Sequence, residues 1–92
     1  MPDNTTNVAV PAGAWTEAVT GPESEGSIEA LLTGSDNFEY AYAPTETPPA
    51  SGFVGHFVYA QRNEPVVVLA DQSVFVFNAH RPLKLAVTQS EI

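Results

Sequence analysis

The chain predicts an all-β fold, a small antiparallel β-sandwich or jelly-roll-like domain of about eight short strands. Three observations carry that expectation. Short runs rich in valine, phenylalanine and tyrosine recur along the chain, clusters of glycine, proline, serine and aspartate separate them, and no segment sustains a helical period. At 92 residues the chain is long enough for one domain, 1–92, and too short for two.

Val8 to Val10 is the first candidate strand, stopped by Pro11 and Gly13, and residues 1–7 before it read as an extended N-terminal arm. Trp15 to Val19 is the second, with Trp15, Glu17 and Val19 on one face. Thr20 to Gly26 reads as an acidic connection, and Ser27 to Thr33 as a strand with Ile28, Ala30 and Leu32 inward. A helix starting at Ser27 would be halted by Gly34 within two turns, which favours the strand. After the turn residues Asp36 and Asn37 comes the strongest alternation, Phe38 to Ala43, with Phe38, Tyr40 and Tyr42 on one side and Glu39, Ala41 and Ala43 on the other.

Residues 44–52 hold Pro44, Pro48 and Pro49 and predict a Pro-rich surface loop, because proline lacks the donor a ladder needs. Phe53 to Tyr59 returns as a strand, Arg62 and Asn63 turn, and Val66 to Ala70 follows Pro65. Asp71 to Ser73 is a polar turn before Val74 to Phe77, whose large apolar groups on both faces predict a central strand covered twice. His80, Arg81 and Pro82 turn the chain into a last strand with Leu83, Leu85 and Val87 inward.

Net charge narrows the function classes. The formal charge is −8, with eleven acidic residues against three basic ones. Affinity for nucleic acid, and for anionic membrane surfaces, rests on clustered lysine and arginine, so neither partner is expected. No apolar stretch approaches the roughly 20 residues of a membrane span, and Met1 to Asn7 lacks the basic-then-apolar order of a leader peptide. Without cysteine there are no disulfides to reinforce a small core, which makes self-association the expected supplement.

Catalytic patterns are not found. His56 and His80 lie far apart in sequence, with no His-x-His pair or cysteine to complete a metal set, and no cofactor or metal is expected. The chain has no Gly-x-Ser-x-Gly elbow, and Glu23 and Glu25 fall in the acidic connection, so an enzyme is not expected. The aromatic residues Trp15, Tyr40, Tyr42 and Tyr59 suit core or interface packing, or a sugar platform if two rings face solvent together. Trp15, Tyr40, Tyr42, Phe53, Phe75 and Phe77 are the candidate interface residues.

Four features form a layout: Pro11-Ala12-Gly13-Ala14-Trp15 entering a strand, the aromatic strand Asn37 to Ala43, Pro48 to Gly52 before Phe53-Val54-Gly55-His56, and the closing Leu85-Ala86-Val87-Thr88. In this layout, over most of its length, the chain resembles the very small β-sandwich and jelly-roll proteins of bacteriophage virions. These serve as head decoration or cement proteins, or as small tail and fibre attachment modules. The resemblance implies a structural virion protein, a homotrimer on the capsid surface that binds the major capsid protein at capsomer joints. A tail, baseplate or fibre location is the first alternative, and a carbohydrate- or protein-binding module the second.

Overall fold

The computed structural model describes residues 4–30, 37–58 and 63–91. Eight strands form among them: β1 (Asn4–Val10), β2 (Thr16–Thr20), β3 (Ser24–Ala30), β4 (Phe38–Pro44), β5 (His56–Val58), β6 (Asn63–Val68), β7 (Gln72–Phe77) and β8 (Leu83–Glu91). They build two four-stranded sheets, β1-β8-β3-β6 and β2-β7-β4-β5, with every pair antiparallel. The pairs β1·β8, β2·β7, β3·β6 and β4·β5 are nested, as in one long hairpin rolled around itself. That nesting is the jelly roll, and it agrees with the fold class read from the sequence.

Period-two alternation explains the interior. Val10 from β1, Ile28 from β3, Val66 and Val68 from β6, and Leu83, Leu85 and Val87 from β8 point from the first sheet into the core. Val19, Phe38, Val58, Val74 and Val76 meet them from the second sheet. Branched and aromatic side chains fill this layer because they fit the pleated surface and leave water when the sheets close. One end is sealed by polar bonds: the Gln89 amide donates to the Thr20 carbonyl at 2.8 Å and to the Ser24 hydroxyl at 2.9 Å. Two tyrosines stitch the sheets at one side, where Tyr40 donates to Glu64 at 2.8 Å and Tyr42 accepts the Val67 N–H at 3.3 Å.

Several boundaries differ from the sequence expectation. Residues 4–7, read as part of an arm, belong to β1, where Asn4 to Asn7 pair with Ala86 to Gln89. Backbone bonds and the Thr5–Thr88 hydroxyl pair at 2.9 Å support this stretch without apolar alternation. Similarly, β3 begins at Ser24, so Glu25 stands in a strand and not in a loop. Gly26 is required there: a β-carbon would collide with the Thr88 carbonyl where β3 meets β8. The strand expected from Phe53 shortens to His56–Val58, because the Gly55 N–H bonds the Glu39 side chain instead of a ladder carbonyl. The turn before β7 centres one step earlier than Asp71 to Ser73, with Ser73 already paired in β7. The expected inward residue Leu32, the sugar-platform candidate Tyr59 and residues 1–3 of the arm lie outside the described residues.

Candidate protein-docking face

Strand β7 lies between β2 and β4, so its odd-numbered side chains project from the face of the second sheet opposite the core. Phe75 stands there between Glu17 and Ala41, and Phe77 lies opposite Glu39. A sheet face turned to water would leave Phe75 exposed, yet Phe75 is 3% exposed. The expectation of a strand covered on both sides is met, and the second cover comes from loops instead of a third sheet.

Two segments supply that cover. Trp15, at the entry to β2, stacks on Phe77 with ring centroids 5.1 Å apart and planes 27° apart. Phe53 meets Trp15 edge-on at 6.1 Å, at the end of the Pro-rich segment. Hydrogen bonds hold this segment against the sheet: Glu39 accepts the Gly55 N–H at 3.0 Å, and Glu17 accepts the Glu46 N–H at 3.1 Å. Gly55 lies so close to β4 that an added β-carbon would sit 2.5 Å from the Tyr40 carbonyl oxygen, so any side chain there would lift the loop.

Below the loop, Ser73 is fully buried, with its hydroxyl 2.9 Å from Glu17, 2.9 Å from Thr20 and 3.3 Å from Thr45. One hydroxyl has one proton, so Ser73 donates to the carboxylate and accepts from the two threonines. Carboxylates on this face therefore have structural duties. Their backbone and hydroxyl donors satisfy acidic side chains that sit beside aromatic rings.

The loop leaves an apolar rim open. Phe53 is 51% exposed, Val54 69% and Phe57 65%. Phe53 and Val54 border a smaller recess with Ala41, Tyr42 and His56, while Phe57 borders a groove of about 510 Å³ with Glu39, Phe77, Asn78, His80 and Arg81. Asn78 shapes its wall: the side-chain oxygen accepts the His80 and Arg81 N–H groups at 2.8 and 3.0 Å, and its amide donates to the Asn37 carbonyl at 2.6 Å. Its backbone carbonyl also accepts the Gly13 N–H at 2.8 Å, tying the turn before Trp15 to the groove. Comparison with protein-family models, curated proteins and solved structures finds no match for this chain.

The six residues singled out from sequence thus divide. Trp15, Phe53 and Phe77 come together on this face, with Phe75 buried beneath them. Phe75 accordingly supports the face from within and offers no contact surface. Tyr40 and Tyr42 lie on the opposite side of the sheet, ring to ring at 6.2 Å, with both hydroxyls engaged by β6. Burial and the Glu64 carboxylate push the Tyr40 phenol up to about 12, as expected for a hydroxyl held neutral by its acceptor. His56 rests on Tyr40 with ring centroids 5.2 Å apart, while His80 lines the groove. Among the described residues, no three His, Cys, Asp or Glu side chains converge as a metal set.

Sequence reasoning placed Phe57 on its strand without choosing it, and passed over Val54 and Asn78. Phe57 carried a signal, since pairing β5 with β4 puts it opposite Glu39 on the solvent side. Asn78 carried another, as an asparagine directly after an apolar strand is a side-chain-capped turn.

Proposed function

We propose that this chain is a structural virion protein, a capsid decoration protein that docks the aromatic face of its second sheet against neighbouring shell subunits. The single observation supporting this reading is the exposure of Phe53, Val54 and Phe57, the last of them bordering a groove, on a domain whose interior is already closed by its own core. Exposed aromatic rings, here Phe57 on β5 and Phe53 on the loop over the sheet, are the kind of anchors protein interfaces use, and an interface of standard size needs only about 800 Å² per partner. Repetition over a shell multiplies a modest contact. The acidic exterior suits a surface away from packaged nucleic acid. The jelly roll is shared with viral capsid domains, and equally with lectins and cupins, so the fold alone carries less weight than the face.

Purified particles test the reading. The chain should be present in fixed ratio to the major capsid protein, and particles depleted of it should recover heat stability on adding the wild-type chain but not Phe53→Asp/Phe57→Asp. Particles without the chain, or full rescue by the double variant, defeat it. Recovery with tails and not heads would move the site to the tail.

A second reading has its own support. Phe57 and Phe77 beside Glu39 and Asn78 form an open groove with ring faces and polar rims, a combination that binds sugars. Because Trp15 stacks on Phe77, an oligosaccharide bound there would change Trp15 fluorescence in a saturable titration.

A further inference from the structure

The four sheet edges differ in how they are protected. Edge strand β6 holds Pro65, which has no N–H, and its Val67 N–H is taken by the Tyr42 hydroxyl. Edge strand β5 is three residues long, and β2 carries Glu17 and a break in register between Glu17 and Val19. Short strands, bulges, charges and prolines are the devices that stop edges from pairing with other chains. The outer edge of β1 has none of them. It runs seven residues in unbroken register with β8, contains neither proline nor charge, and among the described residues pairs with β8 alone.

We infer that the free edge of β1 takes β1 of a second copy, antiparallel about a twofold axis at Asn7. The charge distribution favours this occupant. Copies of a chain with a net charge of −8 repel each other, and β1 is the full-length edge strand free of acidic residues. Antiparallel pairing centred on Asn7 sets Asn4 against Val10, Thr5 against Ala9 and Thr6 against Val8, so side chains of the same face meet along the full strand. The half-buried Val8, packed at the border of the core, gains a neighbour across the axis. The result joins two four-stranded sheets into one continuous sheet of eight. It is a twofold contact where the resemblance implies a threefold, and it holds or fails independently of the docking face.

Because the chain has no cysteine, Asn7→Cys introduces a single thiol at the axis. Opposed residues in an antiparallel pair have α-carbons about 4.5–5.5 Å apart, within the reach of a disulfide. Light scattering of the full chain over a concentration series should give twice the chain mass. Asn7→Lys, which sets two like charges face to face, should return it to the single-chain mass with an unchanged circular dichroism spectrum. Under mild oxidation Asn7→Cys should form covalent dimers at least about tenfold faster than Ala79→Cys in the exposed loop. A single-chain mass at every concentration, a dimer that persists in Asn7→Lys, or equal cross-linking of the two cysteine variants overturns the inference.

Discussion

The outer faces of the two sheets obey the same alternation and arrive at opposite chemistry. On the first sheet, β3 and β8 present Glu25, Ser27 and Glu29 beside Ala86, Thr88 and Ser90, short or charged groups that water can solvate directly. On the second, the equivalent central strands present Phe75, Phe77, Glu39 and Ala41, and part of that surface is covered by Trp15 and the Pro-rich segment. A sheet face is thus solvent-facing or interior according to what the loops do, and the loop that covers Phe75 is also the one that raises Phe53 and Val54 into solvent. Covering one apolar patch has produced another, smaller and more accessible.

The two outer faces should differ most at Phe75. Phe75→Ala should cost about 3–5 kcal/mol, a core-like loss from the outer side of a sheet, because both the ring's transfer energy and the cavity under the loop are forfeited. Ser27→Ala, on the outer face of the first sheet, should change stability by no more than about 0.5 kcal/mol. Urea unfolding of both variants decides it: similar small losses would mean that the loop does not seal Phe75 from water. For the first sheet, the sensitive position is a backbone one. Gly26→Ala should cost about 1–3 kcal/mol in the same measurement, since β3 and β8 must part to admit the methyl group.

Much of this frame is legible in sequence, and the limits have physical causes. β4, β7 and β8 announce themselves because Phe38 to Ala43 and Leu83 to Thr88 alternate and Val74 to Phe77 is apolar on both faces. Asn4 to Asn7 and Ser24 to Gly26 do not, because their place in the sheet comes from backbone pairing and their polar or glycine side chains carry no period. The site was half legible. A doubly apolar β7 demands a cover, but the cover joins residues 15, 53 and 77, and no local pattern reports a contact across such separations. Tyr40 and Tyr42 were legible as one face of a strand, whereas their hydroxyl partners belong to β6 on the other sheet.

That tie between the sheets supplies the next test. Tyr40→Phe removes the bond to Glu64 and should cost about 1 kcal/mol near neutral pH. It should also alter the alkaline limb. The Tyr40 phenol is raised from its ordinary value of 10.0 to about 12 in the folded chain, so above pH 10 the unfolded state loses this proton first. The stability it contributes is therefore complete below about pH 10 and lost as pH rises through about 12. Thermal melts from pH 9 to 12 should show a steeper decline for the wild type than for Tyr40→Phe, and parallel declines would mean that the Glu64 bond is not formed in solution.

The smallest effect on stability carries the most information about function. Phe57 is 65% exposed and its ring borders the groove without entering the core, so Phe57→Ser should shift the unfolding free energy by no more than about 0.5 kcal/mol. If the outer face of the second sheet is a docking surface, the same substitution should weaken attachment to particles by roughly 30-fold or more, the scale of a buried aromatic anchor worth at least about 2 kcal/mol. Measuring attachment with the Ser27→Ala chain as reference sets the two outer faces against each other directly. A chain that folds like the wild type and no longer binds would assign the partner to the aromatic face. Equal binding by Phe57→Ser and Ser27→Ala would leave the rim as a by-product of covering Phe75.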